Sequence, residues 1–146
     1  MTLKKLDNIE IIVEDLDAVI AFFTELGMEV EGRSQVEGSW AARLVGLEDQ
    51  KVDVAMMRVP GDNGRVELAQ YRMPDAIRSL PENAPPHTLG IRRIMFAVED
   101  LDGKVAHMLA HGAELVGEVV RFGDSYKLAY LRGPEGILVA LAEELG

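Results

Sequence analysis

Few side chains in this sequence could do chemistry alone. There is no cysteine, which excludes disulfides, thiolate catalysis and zinc–thiolate sites. Of the three histidines, His107 and His111 have the four-residue spacing that sets two imidazoles on one helix face, as in a zinc pair. No glutamate sits beside His107 as it would in a metalloprotease helix. The pair also falls away from the apolar stripe of its own helix, so a solvated surface pair is expected. His87 lies in a proline-rich stretch six residues before Arg93, where a loop histidine could bend inward or simply meet water.

The elements that must position any such group come twice. Val13-Glu14-Asp15-Leu16-Asp17 returns unchanged as Val98-Glu99-Asp100-Leu101-Asp102, an offset of 85 residues. The same offset pairs Ile9 with Ile94, Ala21 with Ala106, Gly27 with Gly112 and Gly32 with Gly117. Such self-similarity points to two copies of one supersecondary unit, each burying one apolar face. In the first copy Leu6 to Val13 alternates as a strand, with Ile9, Ile11 and Val13 on one side and Asn8, Glu10 and Ile12 on the other. Asp15 can cap a helix whose stripe is Leu16, Val19, Ile20, Phe23 and Leu26, with Gly27 as its stop. In the second, Ile94, Phe96 and Val98 alternate, Asp100 caps, and Leu101, Val105, Met108 and Leu109 form the stripe.

Three strands are expected after each helix: Met28–Val36, Lys51–Val59 and Val66–Tyr71, then Leu115–Val120, Tyr126–Leu131 and Ile137–Ala142. Gly61–Gly64 and Gly133–Gly136 supply the last turns, and Trp40–Val45 reads as a short inserted helix. Four of the six prolines fall in 72–90. The expected organisation is one domain over 1–146, with module one at 1–72, a linker at 73–90 and module two at 91–146.

Composition narrows the partners. A 48% hydrophobic and 27% charged chain of 146 residues is globular, and no apolar run is long enough to cross a bilayer. The first seven residues lack the apolar stretch of a secretory signal, so a cytoplasmic protein is expected. A formal net charge of −10 argues against nucleic acid and leaves room for a cationic small molecule, or only for solubility.

The motifs Leu6–Asp15, Phe22–Gly27 and Gly133–Val139, in this order of elements, resemble the vicinal oxygen chelate superfamily of glyoxalases, extradiol dioxygenases, methylmalonyl-CoA epimerases and bleomycin resistance proteins, and most of all its metal-free bleomycin-resistance-type binders. The resemblance implies an α+β fold of two tandem βαβββ modules whose curved sheets enclose a cleft. It also implies four inward positions that hold a divalent ion in the metal-dependent members. Here these are Asn8, Glu67, Arg93 and Ala140. Glu67 alone is a good ligand. Ala140 has no donor atom, Asn8 offers a weak amide oxygen, and Arg93 carries a fixed positive charge. A cation at ~4 Å from that charge would meet repulsion of about a few kcal/mol. No metal and no other cofactor is therefore expected, and Arg93 could replace the ion by pairing with Glu67.

The resemblance implies a cleft that can bind without an ion. Asn8 and Glu10 join Trp40, Met57, Glu67, Tyr71, Arg93, Met95, Phe122, Tyr126 and Tyr130 as candidate lining, although an aromatic or Met residue alone is more often core than ligand contact. Parity puts Met95 with Arg93 and Tyr71 with Glu67. The face of Tyr126 and Tyr130 stays open, and Arg121 and Lys127 read equally as edge charges. The expected function is sequestration of an aromatic or cationic antibiotic or toxic natural product, in a homodimer. The alternatives are a metal-dependent lyase, isomerase or dioxygenase with an incomplete ligand set, and a metal-free enzyme using Glu67 as base.

Overall fold

The computed structural model describes all 146 residues. The chain divides into two compact units, Met1–Ile77 and Arg78–Gly146. The first runs β1 (Ile9–Ile12), α1 (Leu16–Leu26), β2 (Glu29–Glu37), α2 (Ser39–Val45), β3 (Lys51–Arg58) and β4 (Arg65–Met73). Its sheet has the order β1-β4-β3-β2, with β1 parallel to β4 and the rest antiparallel. The second runs β5 (Arg93–Ala97), α3 (Leu101–Ala110), β6 (Glu114–Leu115), β7 (Val120–Phe122), β8 (Tyr126–Arg132), a 3₁₀ turn (Pro134–Gly136) and β9 (Leu138–Glu144). Its sheet has the order β5-β9-β8-β6, with β7 also on β8 and β5 parallel to β9. No helix is long and apolar enough to cross a membrane.

The two repeated helices, α1 and α3, start where their sequence signals stand. Asp15 accepts from the Ala18 amide at 3.1 Å, and Asp100 from the Gly103 amide at 3.0 Å, each satisfying an orphan N–H of the first turn. Gly27, at φ 124°, closes α1. The apolar stripes then dock on one face of each sheet. In the first unit Val19, Phe23, Ala55, Met57 and Leu68 are fully buried. In the second, Leu101, Met108, Leu131, Val139 and Leu141 are. Leu109 lies off the α3 stripe and is 39% exposed, because a fourth apolar position at this spacing rotates past the contact face.

Two expected elements differ. The strand expected at Leu115–Val120 is two short pieces, β6 and β7, because Gly117 and Glu118 interrupt the ladder between them. The Gly133–Gly136 connection is a 3₁₀ turn with Glu135 at φ 57°, closed by the Gly133 amide on the Ile137 carbonyl at 2.7 Å. The segment before β5 packs back on this turn. Arg132 donates to the Gly136 and Ala84 carbonyls at 3.0 and 3.1 Å, and Ala84 is buried.

Candidate functional site

The side chains with chemistry lie on the face of each sheet turned away from its helix, called here the far face. Strand parity decides membership, since cross-strand partners point the same way. In the first unit the register joins Glu10 with Glu67, Met56 with Glu67, and Val52 with Tyr71. Glu10 and Glu67 are thus nearest neighbours on adjacent parallel strands and share a hydrogen bond. Burial first, then the hydrogen bond with Glu67 and its charge, hold the Glu10 carboxyl above the usual carboxylate range. Tyr71, four residues along β4 from Glu67, is raised by burial and then by the charges of Glu10 and Glu67. It stays a neutral phenol, able to donate.

Other expected members of this face are elsewhere. Met57 pairs with Val66 beneath α1 and is fully buried, so it belongs to the core. Met56, its neighbour, takes the far-face position opposite Glu67, which alternation alone leaves open between the two methionines. Asn8 precedes β1 and donates to the Asp7 carboxylate at 2.7 Å. Trp40 is 60% exposed on α2, which contacts β2 at the opposite edge of the sheet from β1. It is not brought beside the glutamates.

In the second unit the far face holds Arg93 and Met95 on β5, Ala140 on β9, Tyr126 and Tyr130 on β8, and Phe122 on β7. Register answers the question parity left open, because Tyr130 pairs with Ala140, which also pairs with Met95. Arg93 donates from Nε to the Tyr130 hydroxyl at 2.6 Å, with its guanidinium carbon 5.8 Å from the ring centre. Ala140, on the strand between them, is small enough to let the two side chains meet above it. Lys127 sits on the other face, paired with Asp102 of α3. Arg121 shares its parity and lies 3.9 Å from Asp124. His107 and His111 are exposed on α3, with rings 4.4 Å apart, and His111 Nδ1 lies 2.9 Å from the His107 carbonyl. His87 is exposed in the segment before β5.

A family pattern described as the Glyoxalase/Bleomycin resistance protein/Dioxygenase superfamily matches residues 7–130. The chain belongs to that superfamily. A crystal structure of a glyoxalase family protein from Bacillus cereus is 50% identical, with a TM-score of 0.95 over 100% of this chain and 97% of that one. The uncharacterized protein YaeR of Escherichia coli is 27% identical over 97% of this chain and 98% of its own length. A 2-epi-5-epi-valiolone epimerase from an Actinomyces species is 30% identical over 73% of this chain, which spans 58% of that enzyme. The fold alone is shared with the fosfomycin resistance protein FosX of Listeria monocytogenes (20% identical, TM-score 0.66, 99% and 92% coverage). The same holds for TnmS3, an antibiotic-binding protein from Streptomyces (14% identical, TM-score 0.61, 99% and 98% coverage).

The four positions that the family resemblance assigns to a divalent ion are poorly furnished with donors here. Ala140 ends in a methyl group, and Arg93 brings a cation held by a phenol. Asn8 turns its amide nitrogen to Asp7. Glu67 is committed to Glu10, a position not among the four. The superfamily's ion does not fit this donor set.

Proposed function

We propose that the protein binds a small aromatic organic molecule on a far face and acts by holding it, without a metal ion. One observation carries this reading. The far face of the second unit presents large aromatic and thioether side chains to solvent: Phe122 is 71% exposed, Tyr126 44% and Met95 41%. Soluble chains rarely leave such a patch without use. Rings and a flexible thioether give wide contact area at low conformational cost. The superfamily includes antibiotic-binding and antibiotic-resistance proteins, so binding as an end in itself is within its range.

The working form in this reading is a cytoplasmic homodimer, supported by exposed Ile77, Leu80, Leu89 and Ile91, which a second copy could cover. Sedimentation should then give twice the 16.0 kDa chain mass. The test of function is calorimetric titration with a panel of aromatic antibiotics, beside elemental analysis of purified protein. One panel member should bind saturably and be recovered unchanged, with no stoichiometric transition metal. Turnover of the bound compound, or one tightly held ion per chain, would overturn the proposal.

A second reading rests on a specific observation. Glu10 and Glu67 are adjacent acids with the Glu10 carboxyl held above the usual carboxylate range, and such a pair can take up and return a proton. With an epimerase among the relatives, this favours metal-free proton transfer at a carbon acid. Solvent deuterium incorporation into a bound ligand, abolished in Glu67→Gln, would select this reading over simple holding.

A further inference from the structure

We infer that the far face of the second unit recognises an oxyanion, so that the ligand is an aromatic acid, with its negative group on Arg93 and Tyr130. This inference rests on the binding reading above and specifies its ligand. The hydrogen bond between the two residues sets the donors. Tyr130 accepts from Arg93 Nε, which leaves the phenol's own proton to donate elsewhere. The guanidinium keeps its two terminal nitrogens for a second partner, and these form the end of a planar fork that matches a carboxylate. Its bound neighbour is a neutral phenol, so its charge is not cancelled there.

The surrounding charge has the same sense. Arg93 and Arg132 both pair with Leu138 in register, one from each side, so two guanidiniums share a row across three strands. Arg132 spends its nitrogens on two carbonyls, which neutralise nothing. Arg92, next in the chain, has a buried Nε with no hydrogen-bond partner. On β5, β8 and β9 the one far-face acid is Glu144, opposite Tyr126. It lies six residues along β9 from Leu138, about 20 Å away. The face is therefore cationic at one end and aromatic along its length, with Tyr126 and Phe122 paired directly across β8 and β7. In a chain of net charge −10 this is a local reversal of sign. A planar ring carrying a carboxylate matches it.

The test uses three probes of one shape and different charge: 2-naphthoate, 2-naphthalenemethanol and 2-naphthylmethylamine, each titrated into the full chain by calorimetry. The acid should bind about tenfold more tightly than the alcohol, and the amine most weakly. Arg93→Gln should erase the preference for the acid without weakening the alcohol, and Tyr130→Phe should reduce it several-fold. Arg121→Gln, a charge removed from the helix side, should leave it intact, and unchanged melting curves would show all three variants folded. Equal binding of acid and alcohol overturns the inference while leaving a binding face in place. Acid binding that survives Arg93→Gln, or no binding by any probe, also overturns it. The antibiotic panel tests the broader reading separately.

Discussion

The two units share one strand–helix–sheet frame and differ in the chemistry of their far faces. Ile11 beside Leu68 in the first unit corresponds to Phe96 beside Leu141 in the second, 85 residues on in the first strand and in matching register. On the far face the correspondence breaks. Where the first unit sets Glu10 against Glu67, the second sets Met95 against Ala140, and Arg93 reaches across to Tyr130. The helix-facing side must fill space at crystal-like density, which limits substitution. The far face is packed only in part, with Val52, Ala69, Leu138 and Ala140 buried and Met95, Phe122 and Tyr126 exposed, so its chemistry can diverge more freely between copies while the frame stays fixed.

The frame is tested first, with the largest expected effects. Leu68→Ala and Leu141→Ala each remove a fully buried side chain from the same place in each copy. Each should cost about 2–5 kcal/mol in urea unfolding. Costs that differ by more than that range would mean the two cores are not equivalent. The turns should separate the copies next. Gly136 sits at φ 77°, and a Cβ there would lie 2.3 Å from the Glu82 carbonyl oxygen. At Gly64, in the corresponding turn of the first unit, a Cβ would meet only a Val59 methyl at 3.9 Å, although φ is 129°. Gly136→Ala should therefore destabilise more than Gly64→Ala, with the second costing about 1–3 kcal/mol for backbone strain alone. The caps come third. Asp15→Ala and Asp100→Ala should each lose about 0.5–2 kcal/mol, measured by thermal unfolding.

Sequence made the local features legible and left the non-local ones open. Asp15 and Asp100 cap where they stand because a cap is decided within three residues. The repeat located both helices and most strands for the same reason. Which side Met56 and Met57 face is different, because alternation allows either, and pairing with Val66 under α1 decides it. Glu10 and Glu67 lie 57 residues apart in a parallel pair, whose register is fixed by packing rather than by a turn. No reading of either segment alone could bring them together. Tyr126 and Tyr130 needed the same kind of information, since β8 shows its face only once β9 and β5 are aligned.

The acid pair gives the smallest effect and the sharpest contrast between copies. Glu10 has a pKa raised above its ordinary 4.5, so the folded chain holds this proton more tightly than the unfolded chain does. At pH below 4.5 both forms are protonated and the pair costs nothing. As pH rises through the window above 4.5, the unfolded chain releases the proton first, and stability falls with pH until the folded pair ionises too. Glu10→Gln keeps a donor for Glu67 and removes the charge. It should raise the melting temperature at pH 7 and leave it unchanged at pH 4. Met95→Gln, at the same position of the second copy, meets Ala140 rather than a carboxylate and should show no such pH dependence. If both variants responded to pH alike, the carboxylate pair would not be what distinguishes the two faces.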